Sequence, residues 1–353
     1  MSPTARRLPL LVGGALSLLA GMAAGEMRLG WPLPFTDLPL VHGPLMICGF
    51  FGTVIGLERA VALGKLWGYG SPAATALGGI ALIHAEPALG GALLALGSLV
   101  FVLMSTAVLR RQQEVFTAVL GLGGLCWLGG NLTWLMTGSA MRAVPLWAGF
   151  LVFTIAGERL ELSRFLPPWR WRTPTLLPPL ALLLAGAAMA TLGMASAWTV
   201  YGLGLIALTA WSLRNDVVRR TIRQPGLTRY VAICLISGYA WAALSGALML
   251  GLDVAQGGVR TDAALHALFV GFVFSMVYGH APVILPAVLR VSVPYKAYFY
   301  GPLALLHASL ILRIAGDLSD HHAVRQWGGL ANAAAIVIFV VTMLVTVLRA
   351  KKR

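Results

Sequence analysis

The sequence predicts an all-α integral membrane protein with about 12 transmembrane helices. Of its 353 residues, 58% are hydrophobic and only 11% are charged, and the mean hydropathy is +0.83. A soluble domain carries about 25% charged residues, so this chain has too little charge to cover a water-exposed surface. The apolar runs are long and continuous, which favours membrane-spanning helices over the short alternating strands of a β-barrel.

Twelve apolar runs define the predicted spans. They lie at residues 8–25, 38–57, 71–84, 87–108, 115–137, 143–160, 175–194, 197–213, 229–252, 263–286, 297–316 and 327–348. The third and eighth runs are shorter than the roughly 20 residues that usually cross a bilayer. Since the loops between the runs are short, we expect a single polytopic membrane domain over residues 1–353, without a soluble domain.

Positive charge is concentrated on one side of these predicted spans. Only five of the 26 Lys and Arg residues fall on the other side, namely Arg28, Arg142, Arg260, Arg313 and Arg325. The positive-inside rule then places both termini in the cytoplasm, and we expect a bacterial-type inner (cytoplasmic) membrane. Arg6 and the small residues near Ala23 are also typical of a cleaved signal, but we expect the first span to be retained. Because the basic residues lie in short loops, the net charge of +14 does not indicate a nucleic-acid partner.

Three spans share a motif that indicates an internal repeat. They read GFFGTVIGLER from Gly49, GFLVFTIAGER from Gly149 and GFVFSMVYGHA from Gly271. The spacing predicts three four-helix units with pseudo-threefold organisation. Their approximate ranges are 1–112, 113–225 and 226–353. Chance recurrence of Gly-Phe in an apolar chain is the alternative.

The acidic residues lie at the ends of the predicted spans or in loops, and none lies in the middle of a span. A proton- or ion-coupled transporter usually needs a carboxylate at that depth, so the pattern argues against this class. The pairs Glu58–Arg59 and Glu158–Arg159 are expected to close helix ends, with proton or quinol access as the alternative role. The sequence shows no catalytic acid–base pair, nucleophile or phosphate-binding loop, so it assigns no enzymatic activity.

Histidines within the spans are the main candidate functional residues. Imidazole enters lipid at lower cost than a charged group, and it binds haem iron and copper. His42 and His266 lie near the starts of spans two and ten, toward the predicted outer side. If these helices face each other, the two imidazoles would bind one haem, and Arg142 in the second repeat would pair with a haem propionate. A hydrogen bond between helices is the alternative role for each histidine.

His280 and His307 are candidate ligands of a second metal. His280 follows His266 by about 21 Å along a helix, so one metal ion cannot bind both. Met46 and Met276 each share a helix face with a histidine, as a copper site would need, although methionine in an apolar chain usually serves packing. The remaining histidines, which we expect to be solvated, are His84, His321 and His322.

Two blocks of sequence carry a family resemblance. One is HGPLMICGF from His42, and the other is LHALFVGFVFSMVYGHAPVILPAVLRV from Leu265, followed by LLHASLILRIAGD from Leu305. These blocks resemble NnrS, a family of haem- and copper-containing membrane proteins linked to nitric oxide metabolism. The resemblance implies a b-type haem, with copper as a further cofactor. The family's H-A-H-E pattern is replaced here by H-G-P-L, which removes a second ligand and a carboxylate that a copper site would use.

The three-unit architecture is also distantly similar to haem–copper oxidase subunit I, in which the second and tenth helices supply haem-ligating histidines. Span six of this chain has no histidine and span seven has no His-His pair. The ligands of an oxygen-reducing binuclear centre are therefore missing, and we predict neither a terminal oxidase nor a nitric oxide reductase.

We therefore expect an NnrS-like haem-binding protein that acts in the nitric oxide or oxidative stress response, or in membrane electron transfer. Besides membrane lipid, the expected partners are nitric oxide or quinol and a respiratory-chain protein. The alternatives are a cofactor-free transporter or permease and a non-catalytic assembly subunit of a respiratory complex. A bound chromophore would distinguish the first from the second, and co-purification would identify the third.

Overall fold

The computed structural model describes residues 3–34 and 37–351, with side chains for residues 7–34 and 37–350. These described residues form helices and connecting loops, without a β-strand. The predicted all-α class is confirmed for them. Lys352 and Arg353, which belong to the predicted cytoplasmic charge, lie outside the described residues.

The helices follow the predicted apolar runs. In chain order the first are α1 (Pro3–Arg28), the π-helical segment π1 (Pro44–Phe51), α2 (Gly52–Leu63), α3 (Gly70–Ile83), α4 (Pro87–Arg111), α5 (Val115–Thr137), α6 (Ala140–Leu162), α7 (Leu177–Thr191) and α8 (Ala197–Asn215). They are followed by the short α9 (Val218–Thr221), α10 (Leu227–Gly251), α11 (Val259–His266), the π-helical segment π2 (Ala267–Val273), α12 (Phe274–Leu289), α13 (Tyr300–Leu318) and α14 (His322–Lys351). The segment π1 continues directly into α2, and α11, π2 and α12 are likewise continuous. Short 3₁₀ turns lie at Leu38–Val41, Leu66–Tyr69, Ser163–Phe165 and Ala297–Phe299.

Nine helical stretches in the described part of the chain are long and apolar enough to cross a membrane. They are Arg7–Arg28, Pro44–Leu63, Pro87–Arg111, Val115–Thr137, Ala140–Phe165, Leu227–Gly251, Val259–Leu289, Ala297–Leu318 and His322–Ala350. These stretches are compatible with a multi-pass membrane protein. The helices α3, α7 and α8 occupy the other three predicted spans but do not meet the same requirement of length and hydropathy. Twelve crossings therefore stay a prediction.

The helix surfaces and helix ends have simple physical causes. Large apolar side chains remain exposed along α14, for example Val341 and Leu344, as expected for a face that contacts lipid. The helices α2 and α5 end at Gly64 and Gly138, which adopt left-handed φ values of +67° and +65°. Glycine reaches this conformation without a clash of its own side chain, so it ends a helix at low cost.

The chain divides into two compact units, Met1–Gly157 and Glu158–Arg353. In the first unit, α1 packs against π1 and α3, and α4 packs against α3 and α5. The rings of Trp127 and Phe150 stack there with their centroids 4.5 Å apart.

In the second unit, α8 packs against α7 and α10, α10 packs against π2 and α12, and α13 packs against α14. The rings of Tyr278 and Phe339 stack with their centroids 3.8 Å apart. The boundary between the units lies within α6 and does not coincide with a predicted repeat boundary. The organisation into three four-helix repeats stays a prediction.

Candidate functional site

Each π-helical segment follows a candidate haem ligand. His42 precedes π1 with only Gly43 between them, and His266 directly precedes π2. Each segment also contains a Gly-Phe pair of the repeat motif, whereas the copy in span six lies in the α-helix α6. π-Helical turns are rare and occur frequently at functional sites. The structure therefore places these two histidines in matching local surroundings.

His42 is held by the first helix. Its Nδ1 lies 2.7 Å from the carbonyl oxygen of Gly21, and its ring packs on Gly25, where an added Cβ would come within 3.0 Å of Cε1. Because a carbonyl can only accept, a neutral ring carries its hydrogen on Nδ1 and its lone pair on Nε2. This is a common arrangement for a metal-ligating histidine, whose other ring nitrogen donates to a carbonyl or carboxylate.

His266 is held by an aspartate one turn earlier. Its Nδ1 lies 2.9 Å from the backbone oxygen of Asp262 and 3.3 Å from the carboxylate Oδ1 of the same residue. The Asp262 carboxylate also pairs with Arg313 at 2.7 Å and with Arg325 at 3.6 Å, and Arg325 pairs with Asp317 at 2.8 Å. Sequence reasoning assigned these carboxylates and arginines only to outer ends or loops. The spacing of four residues between Asp262 and His266 was the signal that could have identified the first pair.

The Nδ1 bond alone does not distinguish a ligand from other helical histidines. His84, which is exposed at the end of α3, makes a similar contact of 2.9 Å to the carbonyl oxygen of Ile80. His42 and His266 differ from His84 because they are half-buried and adjoin π-helical segments. His42 lies in the first unit and His266 in the second, so their pairing on one haem stays a prediction.

His280 contacts a buried arginine. Arg159 donates from Nη2 to Nε2 of His280 over 2.7 Å, and Nδ1 of His280 lies 2.6 Å from the carbonyl oxygen of Met276. Since both ring nitrogens are engaged and one neighbour is a fixed cation, a metal ion at His280 would have to displace Arg159. From the sequence, Arg159 was expected to close a helix end, and that role does not account for its contact with His280.

His307 forms part of a hydrogen-bonded chain in the second unit. The indole Nε1 of Trp241 donates to Nδ1 of His307 over 3.0 Å, and Nε2 of His307 lies 3.0 Å from the hydroxyl of Ser237. An indole N–H can only donate, so the neutral imidazole carries its hydrogen on Nε2. Metal binding by His307, which stays a prediction, would require one of these bonds to break.

The other predicted site residues lie apart from these contacts. Arg142 is exposed near the start of α6. The sulfur of Met46 packs on Gly21, and the terminal methyl of Met276 packs on Gly238, as expected for methionines that fill gaps between helices. His321 and His322 are exposed.

A buried amide cluster in the first unit was not predicted. The Asn131 carbonyl accepts from Trp147 Nε1 over 3.0 Å and from the Cys48 thiol over 3.2 Å. The Asn131 amide donates to the carbonyl oxygen of Leu94 over 3.0 Å and to the Ser98 hydroxyl over 3.1 Å. These contacts satisfy the amide, and they connect π1, α4 and α6 through one side chain of α5.

Within the described residues, no group of three or more His, Cys, Asp and Glu side chains could hold a metal ion. Haem iron needs only one or two axial side chains, so this finding concerns a protein-bound copper site rather than haem. Copper stays a prediction.

The half-buried histidines beside π-helical segments are candidate ligands near the helix ends. Together with the long apolar helices, they indicate the class of polytopic membrane proteins. Within that class, the chain belongs to the family described as a domain of unknown function (DUF8744), which matches residues 7–348. The match includes both candidate haem ligands. No curated protein sequence matches this chain.

Proposed function

We propose that this protein is an NnrS-like haem-binding membrane protein with His42 and His266 as axial ligands of a b-type haem. The observation that carries the proposal is the shared setting of the two histidines. Each is half-buried, adjoins a π-helical segment and contacts an oxygen acceptor through Nδ1. π-Helical segments make up less than about 1% of residues in soluble proteins. Their position beside both candidate ligands therefore argues against chance.

The surrounding residues fit the holding of an axial ligand. The carbonyl of Gly21 and the backbone and carboxylate oxygens of Asp262 orient the two rings and make the imidazoles more basic ligands. Arg142 is the candidate partner of a haem propionate. A bound haem would supply one-electron transfer, with quinol as the electron donor, in the nitric oxide or oxidative stress response. Because His42 and His266 would hold the iron from both sides, nitric oxide would bind only by displacing one of them.

The proposal includes a membrane topology. The protein would cross a bacterial-type inner membrane twelve times as three four-helix units, with both termini in the cytoplasm. A respiratory-chain protein is the proposed protein partner, and copper is a second candidate cofactor, with His280 and His307 as its candidate ligands. No catalytic turnover is proposed.

Haem content tests this proposal directly. The full-length protein is purified in detergent from haem-replete cells, and the ratio of haem to protein is measured for the wild type and for His42→Ala and His266→Ala. His84→Ala is the matched control, because His84 makes the same kind of Nδ1 contact at an exposed position. We expect haem in the wild type and the control, and its loss or a change to high spin in each of the other two variants.

Two results would contradict the proposal. One is a wild-type protein without haem, which would favour the cofactor-free transporter or the assembly subunit. The other is undiminished low-spin haem in both the His42 and the His266 variants, which would assign the ligands elsewhere.

A further inference from the structure

Arg159 is a buried cation near the end of a membrane-spanning helix. Its side chain belongs to the last turn of α6, and the residue is only 4% exposed. Arginine stays charged under all physiological conditions, so it cannot reduce the cost of burial by losing its proton. A buried guanidinium therefore needs an anion or several acceptors around it.

The described chain supplies only one hydrogen-bond acceptor to this group. That acceptor is the neutral His280 ring, at 2.7 Å. The Nε–H of Arg159 is buried and has no hydrogen-bond partner among the described residues. Within the same part of the chain, Arg159 also forms no ion pair with a carboxylate at 4.0 Å or less.

Asp216 and Glu158 are the carboxylates whose charge acts on His280. Asp216 accepts a short hydrogen bond from the Tyr239 hydroxyl and another from the backbone N–H of Val218, and it is 1% exposed. Glu158 is half-buried, and its charge acts on His280. The guanidinium therefore keeps a buried donor that no carboxylate of the described chain satisfies.

We propose that Arg159 binds a phosphate oxyanion, with His280 holding the guanidinium in place. A guanidinium forms paired hydrogen bonds with phosphate oxygens through its planar donors, and Nε–H is one of them. The charge distribution predicts that this end of α6 faces the cytoplasm, at the depth of the lipid headgroups. The phosphate belongs either to an anionic lipid or to a soluble anion. The proposal is independent of haem, but it requires that His280 holds Arg159 rather than copper.

Binding of two probes to the detergent-purified full-length protein tests this site. Dioctanoyl phosphatidylglycerol and inorganic phosphate are titrated separately, and the change in intrinsic fluorescence of the 11 tryptophans gives the dissociation constants. Arg159→Gln removes the charge. Arg159→Lys keeps the charge but removes the planar set of guanidinium donors, here called the guanidinium fork. Arg164→Gln is the control, because Arg164 lies close by in sequence with a side chain that is 57% exposed.

We expect Arg159→Gln to weaken binding about tenfold, as for the loss of a charge-assisted hydrogen bond. Arg159→Lys should weaken binding about threefold through the loss of the fork, and Arg164→Gln should stay within about twofold. Binding of the lipid alone identifies a headgroup site, whereas binding of inorganic phosphate identifies a site for a soluble anion.

The site is contradicted if neither probe binds the wild type, or if Arg159→Gln binds as the wild type does. Size-exclusion chromatography checks the fold of each variant. If Arg159→Gln fails to fold, Arg159→Lys decides the matter, because wild-type affinity in that variant rules out recognition through the guanidinium fork.

Discussion

At the scale of single residues, burial decides what each charged pair contributes. Asp262 has a side-chain exposure of 14% and joins His266 to Arg313, whose side chain is 9% exposed. The pair of Glu161 with Arg164 is longer, at 3.6 Å, and more exposed. Solvent screens the second pair, whereas removal of Asp262 leaves buried positive charge without compensation.

We predict that Asp262→Asn destabilises the protein by about 3 kcal/mol, and that Glu161→Gln changes its stability by less than about 1 kcal/mol. Unfolding in mixed detergent micelles, followed by tryptophan fluorescence, measures both free energies. Equal effects of the two variants would mean that the Asp262 cluster is as well solvated as the exposed pair. The Asp262 variant should also change the haem spectrum, because it removes a partner of the His266 ring.

At the scale of elements, close approach of helices depends on glycine. The helices α8 and α10 meet at Gly202 and Gly246. A Cβ added at Gly202 would lie 2.7 Å from the Gly246 oxygen, and one added at Gly246 would lie 2.6 Å from the Gly202 oxygen. Small residues at helix crossings allow such packing in membranes, where the hydrophobic effect does not drive helices together.

Gly246→Ala should therefore destabilise the second unit by about 2 kcal/mol, because the two backbones must move apart. Gly251→Ala is the control on the same helix, since no atom of another helix lies within 4 Å of its added Cβ. Thermal unfolding in detergent compares the two variants. A similar melting temperature for both would contradict the close packing of α8 against α10.

The helices could be predicted from the sequence, and much of the site could not. Long apolar runs such as 115–137 are sufficient to locate α5. The π-helical segments have no compositional signature that separates them from an α-helix, so their position beside His42 and His266 appears only in the structure. The contact of Arg159 with His280 joins residues 121 positions apart. A pairing of that kind leaves no periodic pattern in a single sequence.

At the scale of the whole molecule, the number of crossings determines the sides of the two termini. Twelve crossings return the C-terminus to the side of the N-terminus, whereas nine would leave the termini on opposite sides. The helices α3, α7 and α8 account for this difference. The distribution of Lys and Arg favours twelve crossings with both termini inside.

We predict that green fluorescent protein fused to the C-terminus fluoresces in cells and that alkaline phosphatase fused there is inactive. A fusion after Arg142 should show the reverse, because this residue lies near the start of α6, at the end predicted to face outward. A C-terminal fusion with phosphatase activity would exclude an even number of crossings from a cytoplasmic N-terminus.

The central claim is haem ligation by His42 and His266, and the visible absorption spectrum tests it most directly. The wild-type protein, purified in detergent from haem-replete cells, is measured oxidised and then reduced with dithionite. We predict a Soret band and sharp reduced α and β bands, as low-spin haem with two histidine ligands gives, and we predict their loss in His42→Ala and in His266→Ala but not in His84→Ala. A colourless wild-type protein would contradict the claim.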